Sequence, residues 1–166
     1  MIQRLTAFLA IFLVSCLTAV AQDDAALLRS YLGIYEGRGV AIYEAGGHEE
    51  VSCRLSFDSG SAGKIILRDS FCQVSGTNIR FTGTMAYLGG QYEAAVTSNV
   101  GFNARTIGRR EGNAIVFVLQ DAALADRTLG LSATFVMTDG GVVVDMDLVS
   151  NRTGAVTKVR VPMVRR

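Results

Sequence analysis

Apolar and polar residues alternate with a period of two along most of this chain. Val51, Cys53, Leu55 and Phe57 are interleaved with Ser52, Arg54 and Ser56, and Ile79, Phe81, Met85 and Tyr87 with Arg80, Thr82 and Thr84. Leu129, Leu131, Ala133, Phe135 and Met137 alternate with Gly130, Ser132 and Thr134, and Val142, Val144, Met146 and Leu148 flank Asp145 and Asp147. Successive side chains of a strand point to opposite faces, so this period marks strands with one face buried and one in water. Short turn signals separate them, among them Ala45-Gly46-Gly47, Gly89-Gly90, Glu111-Gly112-Asn113 and Asp139-Gly140-Gly141. Turns this tight join antiparallel neighbours. The pattern predicts about ten strands, over 34–45, 49–57, 64–71, 78–88, 91–98, 102–110, 113–120, 128–138, 141–150 and 155–164. A twisted sheet of that size curls and closes or splits in two. The expected fold is therefore all-β, an antiparallel up-and-down meander closing into a small barrel, with a two-layer β-sandwich as the alternative.

Three segments depart from that pattern. Asp23 or Asp24 can cap a short N-terminal helix through Leu27, Leu28, Tyr31 and Leu32, with Gly33 as its stop. Residues 121–127 are alanine-rich and read as a helical turn or a long crossing loop. Pro162 lacks a backbone donor, which requires the last strand to be an edge, or to end, at that point.

The first residues bear on compartment. Arg4 precedes an apolar run from Leu5 to Leu17, and Ala19-Val20-Ala21 supplies the small residues of a cleavage site before Gln22-Asp23-Asp24. That is the plan of a secretory signal peptide over residues 1–21, leaving 22–166 as a single barrel domain in the periplasm. Leu13-Val14-Ser15-Cys16 also fits a lipobox, in which Cys16 would be lipidated and the protein anchored to a membrane. The apolar residues that follow Cys16 favour cleavage after Ala21. A retained span is disfavoured, because about twenty uninterrupted apolar residues are needed.

Export changes the meaning of the cysteines. Cys16 leaves with the leader, and Cys53 and Cys72 remain as a pair in an oxidising compartment, where a disulfide is the simplest expectation. Its loop of about twenty residues would be worth roughly 3 kcal/mol on the chain-entropy model. A zinc site needs further ligands that one histidine cannot supply, so no metal and no cofactor is expected. Once Arg4 is lost, basic and acidic residues both number 15, and no basic field exists to attract nucleic acid.

Tyr31-Leu32-Gly33-Ile34-Tyr35-Glu36-Gly37-Arg38-Gly39 places a short helix before Gly-x-aromatic and a glycine-rich first strand. This resembles the opening of calycin-type barrels, the lipocalin, fatty-acid-binding and nitrobindin-like group. The resemblance implies a barrel architecture. Tryptophan normally fills the aromatic position, and this chain has none. The haem-binding relatives use a late histidine, and no histidine follows His48.

Several residues invite a chemical reading. His48, the only histidine, lies in Gly46-Gly47-His48-Glu49-Glu50, where an exposed hairpin tip is the simpler account. Asp145-Met146-Asp147 puts two carboxylates on one face. A symmetric hairpin through residues 151–154 would set Asp145 opposite Arg160 and Asp147 opposite Lys158 as cross-strand ion pairs. Ser59-Gly60-Ser61-Ala62-Gly63-Lys64-Ile65 lacks the spacing and the Ser/Thr of a phosphate loop. Arg38 is the ligand-binding candidate, as an inward cation for an anionic head group, together with Tyr35 and Tyr43 on the first strand. No nucleophile–histidine–acid set is available, so no enzyme is expected.

Two functions follow from this reading: a non-enzymatic envelope barrel holding an apolar or amphipathic ligand such as a lipid, or a barrel with a packed interior acting as a structural or protein-interaction module. A transmembrane barrel is disfavoured by the Val161-Pro162-Met163-Val164-Arg165-Arg166 end and the missing aromatic girdles.

Overall fold

The computed structural model describes residues 23–74, 76–123 and 129–166. A helix, α1, covers 23–30 and leads into ten strands: β1 (Gly33–Tyr43), β2 (His48–Ser59), β3 (Ile65–Val74), β4 (Thr77–Leu88), β5 (Gln91–Ser98), β6 (Asn103–Glu111), β7 (Ala114–Ala123), β8 (Leu129–Thr138), β9 (Gly141–Ser150) and β10 (Val156–Arg165). Every strand expected from the alternation is present, within a few residues of its predicted bounds. Each pairs antiparallel with its sequence neighbours, and β1 also pairs with β10, so the meander closes into a barrel. The sandwich alternative does not form. The expected leader, with Cys16 and the cleavage position after Ala21, lies outside the described residues.

The closing seam depends on small residues. A Cβ added to Gly37 would lie 2.0 Å from the Pro162 carbonyl oxygen, and one added to Gly39 would lie 1.9 Å from that of Arg160. These glycines therefore let the β10 backbone pass close against them, at and beside the stretch between Gly37 and Val40 where registered pairing lapses, and they leave no spare room inside the first strand. The seam also accommodates Pro162. It is no edge residue, because β10 has a neighbour on each side. Its registered partner on β9 is Val143. On the β1 side the registered pairs pass from Gly37↔Met163 to Val40↔Arg160, omitting the position opposite Pro162. The ladder lapses locally at the residue that cannot donate.

β3 contains one residue more than its neighbours require. Its pairing shifts between Leu67 and Ser70, and Asp69 takes the left-handed conformation, φ 47°. Ile65 and Leu67 face inward before this bulge, and Ser70 and Cys72 face inward after it. The extra residue thus switches the inward set from odd to even positions and brings Cys72 level with Cys53. The two cysteines form the expected disulfide, buried on the barrel's inner face with Cα atoms 4.1 Å apart. Ser70 mends the break in the ladder: its buried hydroxyl accepts from the Ser56 N–H at 2.9 Å and donates to the Arg68 carbonyl at 3.0 Å.

Residues 121–123 continue β7 past a second bulge, between Leu119 and Ala122, in place of the expected helical turn or crossing loop, and 124–128 lie outside the described residues. Because the Gly39 site has no space for a methyl group, Gly39→Ala should lower the unfolding free energy by at least about 3 kcal/mol. Gly140→Ala, with no atom within 4 Å of the new methyl, should change it by under about 0.5 kcal/mol. Denaturant titration of both variants tests this, and equal losses would contradict the close approach at the seam.

Candidate functional site

Closure turns one face of every strand toward a shared interior. Tyr35, Val51, Leu55, Phe57, Ile65, Ile115, Phe117, Val142, Val144 and Val161 are all buried there in one apolar cluster. The packing leaves a cavity of about 80 Å³. Phe57, Phe81, Phe102, Phe117 and Phe135 contribute to its wall, with Met85, Met137, Met146 and Met163, small residues such as Ala94 and Ala104, and Cys72 of the disulfide. Among the described residues no charged side chain lines it.

One end of the barrel is covered by α1. Leu28 and Tyr31 are 1% and 0% exposed. The Tyr31 hydroxyl reaches the carbonyls of Asn113 and Met137, each at 2.8 Å. Burial, reinforced by the Asp139 charge, pushes this phenol up to about 12. Asp24 ties the helix to two neighbouring hairpins. Its carboxylate accepts from Tyr87 at 2.9 Å, Tyr92 at 3.0 Å and Arg110 at 2.7 Å. Burial would raise its pKa, but the hydrogen bonds from Arg110, Tyr87 and Tyr92 outweigh it and hold the carboxyl below its ordinary value. Burial, and then the bond to Asp24, raise the Tyr92 phenol. Asp23 adds a second carboxylate to Arg110 at 2.7 Å. Asp24, one of the two residues expected at the cap, lies within α1 with its carboxylate on the barrel. Of the cavity wall, Phe81, Phe135 and Met146 are only half-buried.

The three ligand-binding candidates do not meet at this cavity. Arg38 lies on the outer face, with its side chain 80% exposed and 3.4 Å from Glu50, so it is not the inward cation expected. The alternation that buries Tyr35 and Ala41 necessarily turns Arg38 out. Tyr35 is inward but belongs to the end seal. Its ring meets Phe57 edge-on at 5.6 Å, and its hydroxyl accepts from the Arg165 guanidinium, which also donates to the Ser30 carbonyl. Tyr43 is at the far end of β1 and donates to Glu49 at 2.5 Å.

His48 is an exposed first residue of β2, and among the described residues no group of three or more His, Cys, Asp or Glu converges on a common point. Asp145 pairs with Arg160 at 3.0 Å, as expected. Asp147 is in register with Lys158, but no ion pair is formed between them.

Sequence reasoning missed the seal around Asp24. The signal was present in the meander itself: alternate hairpins fall at the same barrel end. Tyr87 and Tyr92 flank the Gly89-Gly90 turn, and Arg110 precedes the next turn at that end.

No family model and no curated protein sequence matches this chain. Several solved structures are similar in fold. Rv2717c from M. tuberculosis superposes with a TM-score of 0.63 at 15% identity, over 84% of this chain and 94% of that one. The S-type phycobiliprotein lyase CPES from Guillardia theta gives 0.58 at 9% identity, over 83% and 89%. The class defined is a closed ten-stranded antiparallel barrel, in agreement with the calycin-type resemblance at the level of architecture. Identities this low speak to the fold alone.

The Asp24 contacts have a definite pH dependence. A carboxyl whose folded pKa is depressed contributes stability above its unfolded value, near 3.9, and loses it as pH falls through the folded value. Asp24→Asn should therefore cost about 2 kcal/mol at pH 7 and progressively less below about pH 4. Thermal unfolding across pH 2–7 measures this, and a difference that persists unchanged in acid would contradict the charged seal.

Proposed function

We propose that this protein is an exported, non-enzymatic barrel of the cell envelope that holds a small apolar or amphipathic ligand in its interior. The observation that carries the reading is the interior cavity of about 80 Å³, walled almost wholly by apolar side chains. A barrel built only for packing would gain from filling that space, because each void forfeits contacts. The absence of carboxylate, imidazole, amine and free thiol groups from the described lining supports binding over catalysis. The Cys53–Cys72 disulfide supports an oxidising compartment, hence export, and the leader pattern supports the periplasm as the destination. An amphipathic ligand would keep its polar head outside the described lining, since Arg38 does not serve as an internal counter-ion.

Native mass spectrometry of protein purified from the producing cell's envelope tests this reading. A non-covalent adduct released by organic solvent is expected. Repeated recovery of the bare chain mass would overturn ligand binding in favour of a packed structural or interaction module.

A further inference from the structure

Resting on that reading, we infer that the methionines form an adaptable wall, and that the site takes uncharged apolar molecules of differing shape by enlarging as they enter. The cavity as it stands is too small for such molecules. Its volume of about 80 Å³ is roughly half of the ~150 Å³ at which an apolar protein cavity takes up benzene. Something must therefore move for any larger ligand to fit.

The strands supply little of that movement. Each is hydrogen-bonded to two neighbours, and widening the ring would break a ladder everywhere except between β6 and β7, whose registered pairs run only from Gly108↔Phe117 to Glu111↔Ala114. The β2–β3 side is further stapled by the disulfide. Side chains must yield instead, and methionine is the residue suited to it: unbranched, with three rotatable bonds and a polarisable sulfur.

Their placement is selective. The chain has five methionines, and all except Met1 line this cavity. Met137 and Met163 flank Val142 from adjoining strands, and Met146 lies further along β9. Met85 is on β4, which is five strands from β9 in the closed ring and so diametrically across it. A ligand between those walls meets flexible thioethers from both sides. With no charged group on the described lining, nothing there offsets the desolvation of an ionic ligand, which selects an uncharged body.

The test uses protein carrying 13C-methyl methionine, stripped of ligand and titrated separately with 1-decanol and naphthalene, with occupancy followed by native mass spectrometry. Binding of both probes, with shifts of the Met85, Met137, Met146 and Met163 methyl signals, is the expected result. Occupancy without movement of those signals, or acceptance of only one shape, would overturn the adaptable wall and leave the binding reading intact. Failure of both probes to bind would remove the binding reading and the wall with it. The variant with all four residues changed to Leu should bind naphthalene about tenfold more weakly. If that variant does not fold, the methyl titration of the unaltered protein still decides.

Discussion

The pairing of β1 with β10 is the constraint on which the rest of this molecule depends. An open ten-stranded meander would expose two rows of unpaired backbone groups and could splay its apolar face toward water. Joining the first and last strands removes both edges and forces every inward side chain to face another. The joint tolerates no Cβ at Gly37 or Gly39, whose neighbouring strand backbone occupies that space. Pro162, a poor strand residue elsewhere, is accommodated where the ladder lapses. A few positions of unusual composition at one seam thus set the topology of the whole chain.

Closure also separates the chemistry of the two faces. Charged residues paired across strands, such as Arg160 with Asp145 and Arg54 with Glu36, lie on the exposed surface, where each pair contributes little. The interior receives the phenylalanines, valines and methionines. The helix then completes the enclosure at one end, where Leu28 and Tyr31 fill the opening and Asp24 gathers donors from two hairpins. An apolar cavity persists because ten strands fix the ring's circumference before the side chains divide the space within it.

Much of the fold was legible in the amino-acid order, because a period of two with glycine turns leaves few topologies. The disulfide followed from the expected export, and the Asp145–Arg160 pair from counting across the last hairpin. What was hidden depended on contacts between distant strands. The bulge at Asp69 reverses the inward set within β3, which no uninterrupted alternation reveals. Arg38, expected as an inward cation, points to solvent because the alternation that buries Tyr35 and Ala41 turns it out. The cavity itself is a difference between two large volumes, which residue types alone do not determine. Its methionine wall emerges only when β4 is placed across the ring from β9.

Hydrogen–deuterium exchange resolved to single amides tests closure most directly. A closed ring predicts that the β1 and β10 amides bonded across the seam exchange as slowly as those between β2 and β3, apart from the lapse beside Pro162. Rapid exchange of those amides, with the rest of the sheet protected, would mean two free edges and would contradict the barrel on which the interior cavity depends.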